Sequence, residues 1–263
     1  MKRYVAAVIA CLTLALGLSA CGPGNSKSGS AAIDYADDEA MAIIAKGWEK
    51  RADYIEENPE QSAKQFKGAI EEELDVDEPL KDRQFKDSKL QEKVIAYINI
   101  LDEQLELTES YSETDLDFFQ KWQSVYDERS SMIRDFAENY DLTVGEKYAD
   151  DFNELLRNGK AADRKTAQKD AITALISNAN WEAEEDPYGG TFKTYVANVQ
   201  NTSEYNFSDV SLNIGIYDAN NVRTETFANV TTWRKGDTVK VEFITEADVQ
   251  RIEAVPEYYT VDE

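Results

Sequence analysis

Histidine is absent from all 263 residues, and the chain holds only two cysteines and five prolines. Without imidazole, Ser-His-Asp and Cys-His catalysis, His-containing zinc sites and the usual general base near neutral pH are excluded. Basic residues are also scarce: 28 Lys and Arg stand against 52 Asp and Glu, a formal charge of −24. A chain of that charge repels phosphate backbones, so no nucleic-acid partner is expected. Beyond the first twenty residues no apolar run approaches the roughly 18 to 20 residues that a membrane span needs. The patterns G-x-G-x-x-G, G-x-x-x-x-G-K-[ST], G-x-S-x-G and S-x-x-K are missing as well. Nucleotide binding and serine-acyl chemistry therefore have no support, and no cofactor is expected.

What is present begins with a targeting segment. Lys2 and Arg3 precede an uncharged apolar run from Val5 to Leu18, too short to span a bilayer and followed by small residues, which reads as a signal peptide over 1–20. Leu18-Ser19-Ala20-Cys21-Gly22 resembles a bacterial lipobox. The resemblance implies that the Cys21 thiol receives a diacylglyceryl group and that the chain is cut just before it. Lipidation accounts for both cysteines, because Cys11 leaves with the signal and Cys21 is consumed. Membrane anchoring through lipid on Cys21, at the extracytoplasmic face, is the expectation. Residues 21–33, rich in Gly, Ser and Ala, have the composition of a flexible tether.

The remainder has two grammars. β-Branched and aromatic residues number 35 of the 77 in 187–263 but only 36 of the 166 in 21–186. Helical periodicity fills the first part: Met41, Ile44, Trp48 and Ile55; then Phe66, Ile70 and Leu74 after an Asn58-Pro59 stop and start; then Leu90, Val94, Tyr97, Leu101 and Leu105 behind a Ser88-x-x-Gln91 capping box. A fourth helix from Thr114 carries Phe119, Trp122, Tyr126, Ile133, Phe136 and Tyr140. A fifth from Thr143 ends at Asn158-Gly159, and Ile172, Leu175 and Ile176 mark a sixth. Short loops between heptad-like segments predict an antiparallel helical bundle over 34–183. Period two governs the last third, with turns at 201–203, 218–221 and 235–237, and predicts an antiparallel sandwich over 187–263. A hinge is expected from Ala183 to Gly190, with the β part folding on its own.

Ile214-Gly215-Ile216-Tyr217-Asp218, with Asn198 to Asn201 before it and the Lys235-Gly236-Asp237 turn after it, resembles the FxLYD domain of bacterial surface lipoproteins. Ile214 replaces the family's Phe, Ile216 its Leu, and Asn221 stands where a turn Gly is usual. The resemblance covers about 187–255 and implies an immunoglobulin-like β-sandwich with structural motif residues and no catalytic ones: Tyr217 against the sandwich edge and Asp218 opening the turn.

Other candidate sites have ordinary explanations. The acidic run Glu71 to Glu78 lacks the spacing of a calcium loop and reads as a solvated face. Asp218-Ala-Asn220 and Lys235-Gly236-Asp237 read as turns, and the sequons at Asn201, Asn206 and Asn229 as turns and strand ends. Asp115-Leu-Asp117, reminiscent of a metal-nucleotide motif, reads as acids at a helix start. The aromatic stripe Phe119, Trp122, Tyr126, Phe136 and Tyr140 has the spacing of a buried seam, with a ligand groove as the alternative.

The fold class expected is thus α+β in two domains, a helical bundle followed by an immunoglobulin-like sandwich. The function expected is a non-catalytic binding or spacer role at the cell envelope, toward an envelope protein or polysaccharide. Catalytic residues, metal and cofactor are all expected to be none. The alternatives are the binding component of an uptake system and a carboxylate-dependent cell-wall glycosidase, the latter because two acids suffice for glycoside hydrolysis. With no histidine, stability is expected to be insensitive to pH between 6 and 7.5.

Overall fold

A computed structural model describes residues 34–60, 62–110, 116–184 and 190–262. Cys21, the tether, Thr114, Asp115 and the centre of the expected hinge at 185–189 lie outside the described residues. Among the described residues five α-helices come first: α1 (Ala40–Glu57), α2 (Ala63–Asp77), α3 (Ser88–Ser110), α4 (Leu116–Asn139) and α5 (Ala149–Ser177). Six strands follow: β1 (Glu182–Glu184), β2 (Lys193–Gln200), β3 (Asn206–Tyr217), β4 (Arg223–Trp233), β5 (Thr238–Thr245) and β6 (Arg251–Asp262). The class is α+β, and the strands form two antiparallel three-stranded sheets ordered β1-β2-β5 and β4-β3-β6. Among the described residues no helix is long and apolar enough to cross a membrane.

Most of each predicted stripe is buried, with Ile55 on α1 and Phe119 on α4 left exposed. Ile44, Ile70, Val94, Tyr97, Leu101, Ile133 and Phe136 are fully buried in one apolar cluster. Helix starts are set by different residues than expected. Ser62, not Asn58, caps α2 by accepting from the Gln65 amide at 3.2 Å. Asn58 instead closes α1, its side chain and backbone N–H both donating to the Tyr54 carbonyl. Asp87 rather than Ser88 caps α3, its Oδ1 accepting from the Lys89 amide at 2.9 Å and the Leu90 amide at 3.3 Å.

The expected fifth and sixth helices are one helix. Gly159 does not stop α5; it lets α5 touch α4, because a Cβ there would stand 2.3 Å from the Ser130 carbonyl oxygen. The glycine is a contact device in mid-helix, where sequence alone reads it as a terminator.

Continuity of α5 has a consequence for the core. Phe152 and Leu155 near its start belong to the helical cluster, whereas Ile172, Leu175 and Ile176 near its end belong to a second cluster with both sheets. Phe207, Leu212, Ile214, Trp233 and Val241 are fully buried in that second cluster. The two apolar cores therefore part inside α5, upstream of 183–190, and β1 pairs with β2 from Glu182↔Val196 to Glu184↔Thr194.

The motif region ends β3. Ile214 and Ile216 point into the core, and the Asp218 Oδ1 accepts the amides of Asn220 and Val222, each at 2.8 Å, in the turn to β4. Asn221 takes φ 61° there, a conformation that Asn tolerates well. Tyr217 lies on the outer face of its sheet, donating to Glu253 at 2.7 Å with the Arg251 guanidinium 3.5 Å over its ring. Asn201, first residue of a sequon, is fully buried and donates to the carbonyls of Tyr205 and Trp233, so its side chain organises the turn after β2.

A buried polar layer beneath an aromatic groove

Four helices each place polar groups on an otherwise apolar seam. On α1, Arg51 extends the Ile44, Trp48 series by three. On α2, Glu73 and Asp77 lie seven residues beyond Phe66 and Ile70. On α3, Gln104 follows Tyr97 by seven, and on α4 Arg129 falls between Trp122, Tyr126 and Ile133, Phe136. These spacings return to the same face, so the side chains converge in one layer.

Glu73 is the hub. Arg51 Nη1 donates to its Oε2 at 2.9 Å, and Arg129 Nη2 donates to Oε1 and Oε2 at 2.8 and 3.0 Å. The Tyr97 hydroxyl also donates to Oε1, while Arg51 Nη1 reaches Gln104 Oε1 at 3.1 Å. Glu73 and Gln104 have no exposed surface. Burial alone pushes the Glu73 carboxyl up, but the charges of Arg129 and Arg51 and the hydrogen bond from Tyr97 prevail and hold it below the usual carboxylate range. Burial pushes Tyr97 well above the ordinary tyrosine value.

Asp77 differs sharply from its neighbour one turn away. It too has no exposed surface, yet neither carboxyl oxygen has a hydrogen-bond partner. Gly47 makes room for it, since a Cβ at that position would stand 2.5 Å from Asp77 Oδ1. Burial first and the Glu73 charge second, opposed only by Arg129, raise its pKa to about 9. Asp77 is therefore a neutral acid at pH 7, and the layer holds two guanidinium charges against one carboxylate.

Above this layer opens a groove of about 690 Å³. Trp48, Phe66, Trp122 and Tyr126 form its walls, and Arg51 and Arg129 reach its base. Phe66 and Trp122 meet at 5.2 Å between ring centroids, and Asn158 fixes Tyr126 by donating to its hydroxyl at 2.9 Å. Asp151 and Glu154, exposed on the first turns of α5, also line it. Neither Glu73 nor Asp77 reaches the groove wall.

The aromatic stripe foreseen on α4 thus divides. Phe136 is core, Tyr140 packs half-buried against it, Phe119 is exposed at 57%, and only Trp122 and Tyr126 face the groove. The acidic run on α2 is not uniformly solvated, because Glu73 and Asp77 turn inward at a spacing of four. Among the described residues no group of three or more Asp, Glu, Cys or His side chains is placed to hold a metal ion. Trp181 packs edge-on against Phe243 at 5.3 Å, and Trp233 is fully buried.

No family model and no curated protein matches the chain. Among solved structures, the chain is similar to the Pseudomonas fluorescens alkylpurine DNA glycosylase AlkC bound to DNA containing an abasic site analog. That similarity spans 86% of this chain and 76% of the glycosylase chain at 9% identity and a TM-score of 0.21. A likeness that slight says nothing of fold, DNA or catalysis in this chain.

Proposed function

We propose that the chain is a lipoprotein anchored through Cys21 at the extracytoplasmic face of the membrane, and that it acts there as a non-catalytic binding module with the aromatic groove as its ligand site. In this reading the helices form an antiparallel bundle that carries the groove, and the sheets form an immunoglobulin-like sandwich of the FxLYD kind behind it. The groove itself carries the proposal: a concave site lined by aromatic side chains and a few polar groups has the anatomy of a small-ligand pocket. The buried layer supports it by locking the two arginines in place through Glu73.

The glycosidase reading gains less from the same site. A carboxyl with a raised pKa is what a general acid needs, but Asp77 is sealed beneath the groove wall. A thermal-shift screen of the mature chain against small molecules and soluble wall fragments tests the binding reading. A ligand at a hundred times its Kd stabilises by about 2.7 kcal/mol, a shift of roughly 5 to 10 °C for a chain of this size. The expected hit loses its shift in Trp122→Ala. No hit at all, or hits indifferent to Trp122, would refute the groove as the site.

A further inference from the structure

Charge around the groove is arranged with two signs at two levels. At the base, Arg51 spends Nη1 on Glu73 and Gln104, and Arg129 spends Nη2 on Glu73. Arg129 Nε is buried without a hydrogen-bond partner. Arg51 is 8% and Arg129 3% exposed, so neither guanidinium is well served by bulk water. Both buried cations hydrogen-bond to a single carboxylate, Glu73, while Asp77 bonds to neither, and buried charge is ordinarily paired. The base therefore presents two guanidinium groups held by one carboxylate to the groove. A ligand carboxylate complements that positive charge.

Polyanions fit poorly, because Asp151 and Glu154 line the same groove and are solvated. They repel a second negative charge and attract a cation. Between the two levels, Trp48, Phe66 and Trp122 line the groove with apolar rings, and Ile55 stands 41% exposed beside them. A ligand that satisfies all three features has a carboxylate, an apolar or aromatic body and an ammonium group.

Resting on the reading of the groove as the binding site, we infer that it takes a small apolar zwitterion, an amino acid or short peptide, with its carboxylate on Arg51 and Arg129 and its ammonium toward Asp151 and Glu154. The aromatic walls set the preference for the body, and the paired acids exclude simple organic anions.

The test is calorimetric titration of the full mature chain in detergent with four probes: L-phenylalanine, glycyl-L-phenylalanine, 3-phenylpropionate, which lacks the ammonium, and 2-phenylethylamine, which lacks the carboxylate. At least one zwitterion should bind, and removing either charge should weaken binding tenfold or more. In Asp151→Asn/Glu154→Gln, whose changes are on the exposed rim, the preference for L-phenylalanine over 3-phenylpropionate should fall at least fivefold, with circular dichroism unchanged. Equal affinity for the zwitterions and either single-charge probe, or a preference unmoved by the rim variant, would overturn the inference. If none of the four binds while a Trp122-dependent thermal-shift hit exists, the zwitterion assignment fails and the groove reading stands; if neither appears, both fail.

Discussion

Replacing Asp77 with Asn should change how stability depends on pH more than it changes stability at any one pH. In the unfolded chain the carboxyl ionises near its ordinary 3.8, whereas in the folded chain burial and Glu73 hold its proton to about 9. Between those values the unfolded state has released a proton that the folded state keeps. Stability is then fully present below the unfolded value and falls as pH rises, levelling off once pH passes the folded value. Each unit in that window is worth about 1.4 kcal/mol. From pH 5 to 8 the wild-type chain should lose about 4 kcal/mol, a large part of the 5 to 15 kcal/mol typical of folded domains.

Other groups do not cancel this slope. The chain has no histidine, Glu73 is held below the carboxylate range, and Lys67, Lys147 and Lys240 are raised, away from the window. Asp77→Asn keeps the shape and removes the titration, while its amide still lacks partners at every pH, a constant cost of about 1 to 3 kcal/mol. The stability of the variant relative to wild type should rise by about 4 kcal/mol between pH 5 and pH 8. Urea unfolding followed by far-UV circular dichroism at pH 5, 6, 7 and 8 measures both curves. A flat wild-type curve, or equal slopes in the two proteins, would refute the buried neutral acid. The same curves decide between this slope and the insensitivity between pH 6 and 7.5 that the lack of histidine leads one to expect.

Gly159→Ala should destabilise the chain by about 1 to 3 kcal/mol, because its Cβ would force α5 away from the Ser130 carbonyl; thermal melts measure the loss. A fragment of 168–263, which keeps Ile172, Leu175, Ile176 and β1, should melt cooperatively, whereas 187–263 should melt lower or not at all by calorimetry. Cys21→Ala should move the chain out of the membrane fraction, as read by fractionation and immunoblotting. Added salt should raise the melting temperature, because removal of 1–20 leaves 26 basic against 52 acidic residues and screening relieves their repulsion.

The order of the fold, helices and then strands, was legible because burial imposes a period near 3.6 on one part and 2 on the other. Val94, Tyr97, Leu101, Ile133 and Phe136 are buried as that period requires, and so are Leu212, Ile214 and Ile216. Local signals misled where tertiary contact overrode them. Gly159 reads as a stop because glycine frees the backbone, yet α4 needs its lack of a side chain. Ser88 and Asn58 are competent caps displaced by Asp87 and Ser62. The polar layer was missed for a different reason. A charged run such as Glu71 to Glu78 is ordinarily solvated, and only the fact that Glu73 and Asp77 continue the Phe66 and Ile70 seam marks them as inward. Arg51, Gln104 and Arg129 carry the same signal, a polar residue at a position the heptad reserves for apolar ones. Which of them would meet was set by the packing of four helices, which no single helix encodes.

Zwitterion binding requires Arg51 and Arg129 to meet the ligand at the base of the groove. The most direct measurement follows the arginine Nε–H resonances of the ¹⁵N-labelled mature chain by NMR during titration with L-phenylalanine. Saturable shifts at Arg51 and Arg129, with Trp122 indole shifting in parallel and the amides of Ile214 and Ile216 unmoved, are the expected result. Arginine resonances that stay fixed at concentrations that saturate binding, or shifts confined to the sheets, would contradict it.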